Sequence, residues 1–427
     1  MAPHVPVTPG AAGTPGRART SDPPGRAGAP GALVAGAGIA GCVTAVALRR
    51  IGYDVEIAEA HPRGADDVGA WLTMQSNGLA ALREIGLLAA VRSVGFPTPR
   101  IDFTSSTGRV LGSVPLGRPL DDGTSALTTS RADLYRVLRD AALAAGAHVT
   151  YGCRVVGAAE DADGVDVRLD DGSTTRADVL VGCDGLRSAV RAAVSPSNPA
   201  ARYVPLLNLG GFAPGMHLDA APGRLHMVYG RRAFFGYALA PSGEVWWFAN
   251  PPRPDEPSEA DLATTGSDGW RAELARLFAG DVSPASRIVE ATPGDLRAWA
   301  TYDLPHVPVW RTARTVLAGD AAHATSPSSG QGASMAVEDA LVLARCLRDR
   351  PGVPDALATY EALRRRRVER IVAAGRRTSS TKVAGPVGRA LRDALLPLVL
   401  RRIGADAAGG QGWIFDHRIG WDEPVAL

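Results

Sequence analysis

Lysine is almost missing from this 427-residue chain: Lys382 stands alone, and every other basic side chain is arginine. Schiff-base or lysine-nucleophile chemistry would have to use that one residue. Cysteine is scarce as well. Cys42, Cys153, Cys183 and Cys346 lie far apart with no Cys-x-x-Cys pair, which argues against a metal site or disulfide framework and for thiols in a reducing cytoplasm. No run of about 18 apolar residues exists, so no transmembrane helix and no membrane partner are expected; the best candidate, residues 394–400, is short and contains Pro397. Formal net charge is only +2, too small a field to advertise nucleic acid as a partner. Residues 1–29 are rich in Pro, Gly and Ala and lack the apolar stretch of a signal peptide, so they read as a disordered leader.

Ordered structure should begin with "GALVAGAGIAGCVTAVALRRIGYDVEIAEA". A short apolar strand, Ala32 to Ala35, runs into Gly36, Gly38 and Gly41 at G-x-G-x-x-G spacing. A helical stripe (Ala45, Leu48, Ile51) follows, and a second strand ends at Glu59. In this unit the first glycine permits a tight turn, the second lets the backbone approach a pyrophosphate, and the third lets the helix pack on the strand. The helix N-terminus then faces the phosphates.

Beyond it, residues 100–116 read as a hairpin, and Ser130 as the N-cap of an amphipathic helix carrying Leu134, Val137, Leu138 and Ala141. Val165, Val167 and Leu169 alternate before an Asp-Asp-Gly turn, and a buried strand at Val179–Val181 runs into Asp184-Gly185. Strand signals with aromatics dominate residues 196–290, where Pro241, Ser242 and Gly243 make the turn of a second hairpin. The arginine run Arg364 to Arg367 points round all sides of a helix and reads as a solvated, ion-paired surface.

The third landmark is "VLAGDAAHATSPSSGQGASMAVEDA", an apolar strand followed by Asp320, His323, Pro327, Gly330 and Gly332. With G-x-G-x-x-G plus Glu59 first and "CDGLRSAVR" second, the order and spacing resemble the FAD-dependent aromatic hydroxylases, the single-component flavoprotein monooxygenases. The resemblance spans roughly residues 30 to 380. It implies an α/β fold: a Rossmann-like FAD-binding domain (30–100, 124–195 and 291–350), an inserted β-sheet substrate domain (101–123 and 196–290) and C-terminal helices (351–427).

Carried over residue by residue, the resemblance implies that Gly36, Gly38, Ile39, Ala40 and Gly41 line the FAD pyrophosphate and that Glu59 holds the adenosine ribose. Arg131 contacts the flavin side, the backbone of Val155 meets the adenine, and Asp184-Gly185 lies near the pyrophosphate. That second motif, with Arg187, is implicated in use of the nicotinamide cofactor. Asp320 takes the ribityl hydroxyls, and the backbone of Gly330, Gly332 and Ala333 meets the flavin pyrimidine edge. A helix starting near Gly332 also suits the negative charge of a reduced flavin on electrostatic grounds alone, because its first N–H groups are unpaired. Pro327 matches the family proline beside the flavin's oxygen-reacting face, and a turn-forming proline describes it equally well. His323 is a candidate that orients the loop rather than moving protons, with an acid-base role as the lesser alternative. Trp71 and Ser334 depart from the residues common in the family. No metal is expected.

The implied chemistry is hydroxylation or epoxidation of an electron-rich, aromatic or polycyclic small molecule. It uses non-covalent FAD, NADPH or NADH as a transient co-substrate, and O2, through a flavin C4a-hydroperoxide, with no separate reductase. A flavin-dependent reductase or dehydrogenase on the same scaffold, or a non-catalytic flavin-binding protein, remains the alternative. Trp71, Phe235, Tyr237 and Trp247 are the expected substrate-pocket residues. In the second hairpin Tyr237 should face Trp247 across the ladder, with Phe235 two residues along on the same side; a shift of one residue would exchange the faces for Phe234 and Trp246.

Overall fold

A computed structural model of the chain describes residues 29–63, 70–380, 382, 385–405 and 412–426; the expected leader lies almost wholly outside them. The strand Gly31–Ala35 occupies the middle of a five-stranded sheet. On one side are Val179–Gly182 and then Thr315–Leu317; on the other, Asp54–Glu59 and then His148–Tyr151. All four pairings are parallel. Parallel strands are covered on both faces, and Val179–Gly182 accordingly has no exposed residue. The helix Ile39–Arg50 follows the first strand and packs against Arg131–Ala144 and against the long helix Gly332–Asp349. Ser130 caps its helix as expected, its Oγ accepting from the Asp133 amide.

The glycine spacing has a steric cause. Gly36 turns with φ +95°, and a Cβ there would lie 2.7 Å from the Cys183 carbonyl oxygen. At Gly41 a Cβ would stand 1.8 Å from the Gly36 carbonyl oxygen. Only glycine lets the helix start this close to the strand.

A seven-stranded sheet forms the second layer. Its order is Ala298–Asp303, Arg202–Ala213, Val245–Asn250, Phe234–Leu239, Arg224–Tyr229, Arg100–Ser105 and Val110–Pro115. The two inserted segments thus build one sheet, and it takes its edge strand, Ala298–Asp303, from beyond residue 290. The helices Gly266–Phe278 and Ala285–Ala291 cover one face of this sheet. The other face meets the small sheet Trp71–Met74, Leu127–Ser130 and Gly95–Pro97, and the helix Pro386–Ala405. No helix among the described residues is long and apolar enough to cross a membrane.

The arginine run corrects the expectation of a uniformly solvated surface. Arg366 is exposed and Arg365 pairs with Glu361 and Glu369 along its own helix, Val353–Ser380. Arg364, in contrast, is 1 % exposed and bound to two buried acids of the Gly332–Asp349 helix. A local charge pattern does not show which side of a helix another element will cover.

Gly41→Ala should force the Ile39–Arg50 helix away from its strand. Overpacking of this kind costs about 1–3 kcal/mol. Urea denaturation should show the loss in midpoint, and an unchanged midpoint would mean that the helix start relaxes freely.

Candidate cofactor and substrate site

The dinucleotide end is built by the first two strands. The Ala37 amide donates to Oε2 of Glu59 at 2.6 Å, and the His61 amide donates to its Oε1 at 2.7 Å. The carboxylate is therefore fixed at the tip of its strand beside the glycine turn. Gly38, Ile39 and Ala40 begin the helix, and nothing lies within 4 Å of a Cβ placed on Gly38. The Cys153 amide donates to the Glu59 carbonyl at 2.8 Å, which brings the strand starting at the buried Val155 to the same edge. Arg131 is exposed at the start of its helix, with its amide donating to the Ala70 carbonyl.

Asp184 divides its roles. Its main chain adjoins the glycine turn, the Cα lying 3.2 Å from the Cβ position of Gly36. Its carboxylate turns to the Ala189–Val194 helix and accepts from Ser188 Oγ at 2.5 Å and the Val190 amide at 3.1 Å. Arg187 pairs with Glu259 on the surface. Both line a groove of about 850 Å³ with Trp270 and Tyr302, and Trp270 belongs to the helix-covered side of the large sheet. That groove is thus separate from the loop at Asp320.

That loop leaves the Thr315–Leu317 strand through Gly319, at φ +60°, where a Cβ would meet the Ala40 Cβ at 2.8 Å. Asp320 follows, exposed, with Oδ1 3.9 Å from the Cβ position of Gly332. Its carboxylate therefore stands against the first turn of the Gly332–Asp349 helix. Pro327 opens a short 3-10 turn that closes at Gly330. Gly375, in the Val353–Ser380 helix, supports that turn: a Cβ there would lie 2.8 Å from Ser329 Cβ. Ser334 accepts from the Gln75 amide at 3.3 Å and touches Met74, which joins the helix start to the strand carrying Trp71.

Behind the loop lies a buried ionic network. Asp339 Oδ2 accepts from the Gly319 amide at 2.9 Å and hydrogen-bonds His323 Nε2 at 2.5 Å, while its Oδ1 accepts from Arg364 Nε at 2.7 Å. Arg364 and Arg367 also bind Glu338, which accepts from Asn77 Nδ2. Burial pushes both carboxyls up, but the charges facing them more than offset it: Arg364 with Arg367 holds Glu338 down at about 2, and His323 with Arg364 holds Asp339 below its ordinary value. His323 is 2 % exposed and directed at Asp339. Its Nε2 is tied to Asp339, and its Nδ1 is buried with no partner among the described residues.

On the substrate side the register is as expected and the face is not. Tyr237 pairs with Trp247 and Phe235 with Ala249. However, Phe235, Tyr237 and Trp247 point to the side covered by helices, packing with Trp270, Leu274 and Phe278. Trp247 Nε1 donates to Thr292 Oγ1 at 2.7 Å, and its ring stacks on Phe235 at 5.6 Å. These three are core of the substrate domain. The opposite face carries Phe234, Trp246 and Phe248: Phe234 packs with Leu400 of the Pro386–Ala405 helix, and Trp246 with Phe96 of the small sheet. Trp71 does belong there: its ring lies 5.6 Å from that of Phe248, and its Nε1 donates to the Trp247 carbonyl at 3.1 Å. Alternation separates the two faces, but only the amphipathic Gly266–Phe278 helix, with Trp270, Leu274 and Leu277 buried, decides which face becomes core.

Residues 31–375 match the family model described as "FAD binding domain". The chain belongs to the FAD-dependent aromatic hydroxylase family. It is 34 % identical over 345 residues to an aurachin C monooxygenase/isomerase of Stigmatella aurantiaca, covering 80 % of this chain and 86 % of that protein. It is 33 % identical over 359 residues to an FAD-dependent urate hydroxylase of Klebsiella pneumoniae, covering 81 % and 88 %. Among solved structures, Klebsiella pneumoniae HpxO complexed with FAD and uric acid superposes with a TM-score of 0.77 at 28 % identity, covering 89 % of this chain and 97 % of that one.

The residues present fit the family cofactor. Open space at Gly38 suits a pyrophosphate, and the exposed Asp320 hydrogen-bonds to no described residue. Beside Gly330, the buried Gln75 Oε1 and Gln331 Nε2 find no hydrogen-bond partner among the described residues. Buried polar atoms need partners, and a heteroaromatic edge with alternating donors and acceptors would supply them.

Asp320→Ala and Glu59→Ala should each weaken FAD retention without unfolding the chain. A lost hydrogen bond to a charged group costs about 1.5–3 kcal/mol, or roughly one to two decades in affinity; equilibrium dialysis checks both variants. Arg364→Leu should behave differently. It strands Glu338 and Asp339 and should cost about 3–5 kcal/mol of stability, read as a lower urea midpoint. Acid should weaken the same network. A carboxyl whose folded pKa is depressed contributes stability above its unfolded value, here 4.5 for Glu338, and loses it as pH falls toward about 2. Wild-type stability should therefore decline below about pH 4.5, and less steeply in a Glu338→Gln variant.

Proposed function

We propose that this chain hydroxylates an electron-rich aromatic or polycyclic small molecule with NAD(P)H and O2. The observation that carries the reading is the meeting, across Trp71, of two different surfaces. One is the polar loop from Gly319 to Ser334, which fits FAD; the other is the aromatic face of the large sheet. The relatives named above for aurachin C and urate belong to the same reading. Bound FAD supplies the hydride and oxygen chemistry, and the chain supplies the rest.

Gly36, Gly38, Gly41, Glu59 and Asp320 bind the cofactor's dinucleotide and ribityl parts, with Ile39, Ala40, Arg131, Val155 and Asp184 adjoining them. The N-terminus of the Gly332–Asp349 helix, at Gly332 and Ala333, favours negative charge at the flavin edge. Trp71, Trp246 and Phe248 form an apolar wall that orients a flat substrate and keeps water from the reacting atoms. NAD(P)H binds transiently, so no separate reductase is required.

The test is oxygen incorporation. The FAD-loaded protein, given NADPH or NADH and 18O2 with a panel of hydroxylated aromatics, should place one labelled oxygen in a product. Oxidation of NAD(P)H without labelled product for any of them would favour a flavin reductase, and no oxidation a flavin-binding protein. With a substrate in hand, Phe248→Ala should lower product per NADPH consumed and raise H2O2. Trp247→Ala should instead cost about 3–5 kcal/mol of stability and leave that ratio unchanged in the folded protein.

A further inference from the structure

The helix Pro386–Ala405 is apolar on two opposite sides. Its inner side is fixed to the large sheet: Leu400 packs with Phe234, Leu396 joins the same cluster, and the Arg392 guanidinium lies 4.4 Å from the Tyr229 ring centroid. Arg389 Nη1 also donates to the Arg231 carbonyl at 2.7 Å. The outer side is turned to solvent. Val387, Leu391, Leu395, Leu398 and Val399 are each between 50 % and 82 % exposed. At 3.6 residues per turn these five fall within about 120° of one another. Between Pro386 and Val399 every other exposed position is Pro, Gly or Ala.

The patch continues beyond the helix. Val110, at the start of the edge strand against which the helix packs, and Val282 belong to it; with the five helical side chains they are the most exposed large apolar residues described. Val282 Cγ1 stands 2.9 Å from the Cβ position of Gly108, two residues before Val110. Its neighbour Asp281 pairs with Arg231, whose carbonyl holds Arg389. The border of this surface is basic. Arg401 and Arg402 are exposed near the end of the helix, and Arg109, Arg231 and Arg232 are exposed at its other margin. The adjoining acids are already paired: Asp393 with Arg392, and Asp281, its side chain wholly buried, with Arg231.

We propose that this face docks on the surface of an anionic lipid bilayer, with the helix lying flat at the headgroup level. A helix apolar all round belongs between two apolar phases. The sheet is one, and the partner supplies the other. A contiguous apolar patch with a polar rim marks an interaction or membrane surface, and the basic rim here decides between partners. In an antiparallel pair with a second copy of the chain, Arg401 and Arg402 would meet the Arg231 and Arg389 end of the other copy, like charge against like. An anionic bilayer offers hydrocarbon to the leucines and phosphates to the arginines at once. Arginines at the helix end reach the phosphates while their stems stay in the apolar layer. Such contact needs no spanning helix, and none is present among the described residues. It departs from the expectation of no membrane partner, which rested on spanning segments alone: apolar positions three and four apart on one helix face make no long run.

Vesicle co-sedimentation of the full FAD-loaded chain tests this. Partition onto vesicles of phosphatidylglycerol and phosphatidylcholine in equal parts should exceed that onto phosphatidylcholine alone by about tenfold or more. It should fall as salt rises to about 0.5 M. Leu391→Glu with Leu395→Glu should abolish binding while FAD retention and the urea midpoint keep their wild-type values, since both side chains already face water. Arg401→Gln with Arg402→Gln should remove most of the preference for anionic lipid. In the wild type, hydrogen exchange at residues 387–402 should slow on the anionic vesicles, a reading that stands without any variant. Absence of vesicle binding, equal binding to both compositions, binding that survives in the leucine variant, a preference that survives in the arginine variant, or unchanged exchange in the helix would each overturn the proposal. So would a wild-type dimer in sedimentation equilibrium that the leucine variant dissociates, which would assign the face to a second copy of the chain.

Discussion

The grip of Asp339 and Glu338 on Arg364 is the constraint from which the rest of the site takes its shape. Asp339 holds the Gly319 amide and the His323 ring from one oxygen and Arg364 from the other. The loop that presents Asp320 is thereby tied to two helices, Gly332–Asp349 and Val353–Ser380. A buried ion group of this kind is weak evidence for net stability, since desolvation offsets much of the attraction. Its value here is geometric. A cofactor that must meet a carboxylate at one end of a loop and backbone N–H groups at the other needs both ends fixed to one frame.

From that frame the two main layers acquire different duties. The parallel sheet and its glycine turn offer backbone and two carboxylates, groups suited to sugar hydroxyls and phosphate. The seven-stranded sheet offers rings. Its strands carry aromatics on both sides: Phe235 and Trp247 stack within the core, while Phe234 and Phe248 lie on the opposite face, packed with Tyr229 and Leu400. Phe235 and Trp247 are fully buried whereas Trp246 and Phe248 are half-buried, so core and pocket differ in what covers them.

The same consideration applies to the polar residues. Lys382, Asn250, Gln75 and Gln331 are buried without the charge partners that Glu338 and Asp339 have. In the ionic network behind the loop the charges are all paired, although His323 Nδ1 and Asn77 Oδ1 find no partner among the described residues. Gln75 Oε1 and Gln331 Nε2 find no partner among the described residues, and groups of that kind are the ones a ligand completes.

The order of the three motifs, the glycine unit with Glu59, and the strand-loop-helix around Asp320 were legible in the sequence because each is local. A glycine that must pass within van der Waals contact of a strand, or a cap before a helix, involves only a few neighbouring residues. The hairpin register was legible for the same reason, since its turn lies at Pro241–Gly243 between strands that pair directly. Tertiary structure alone decided which face of that hairpin became core, because the deciding partner, the Gly266–Phe278 helix, packs from outside the pattern. It alone decided that Arg364 is buried while Arg366 is solvated, although the two are near neighbours in one run. And it alone brought Lys382 to Asn250, across 132 residues of chain: burial is a property of the assembled layers, and no local pattern encodes it.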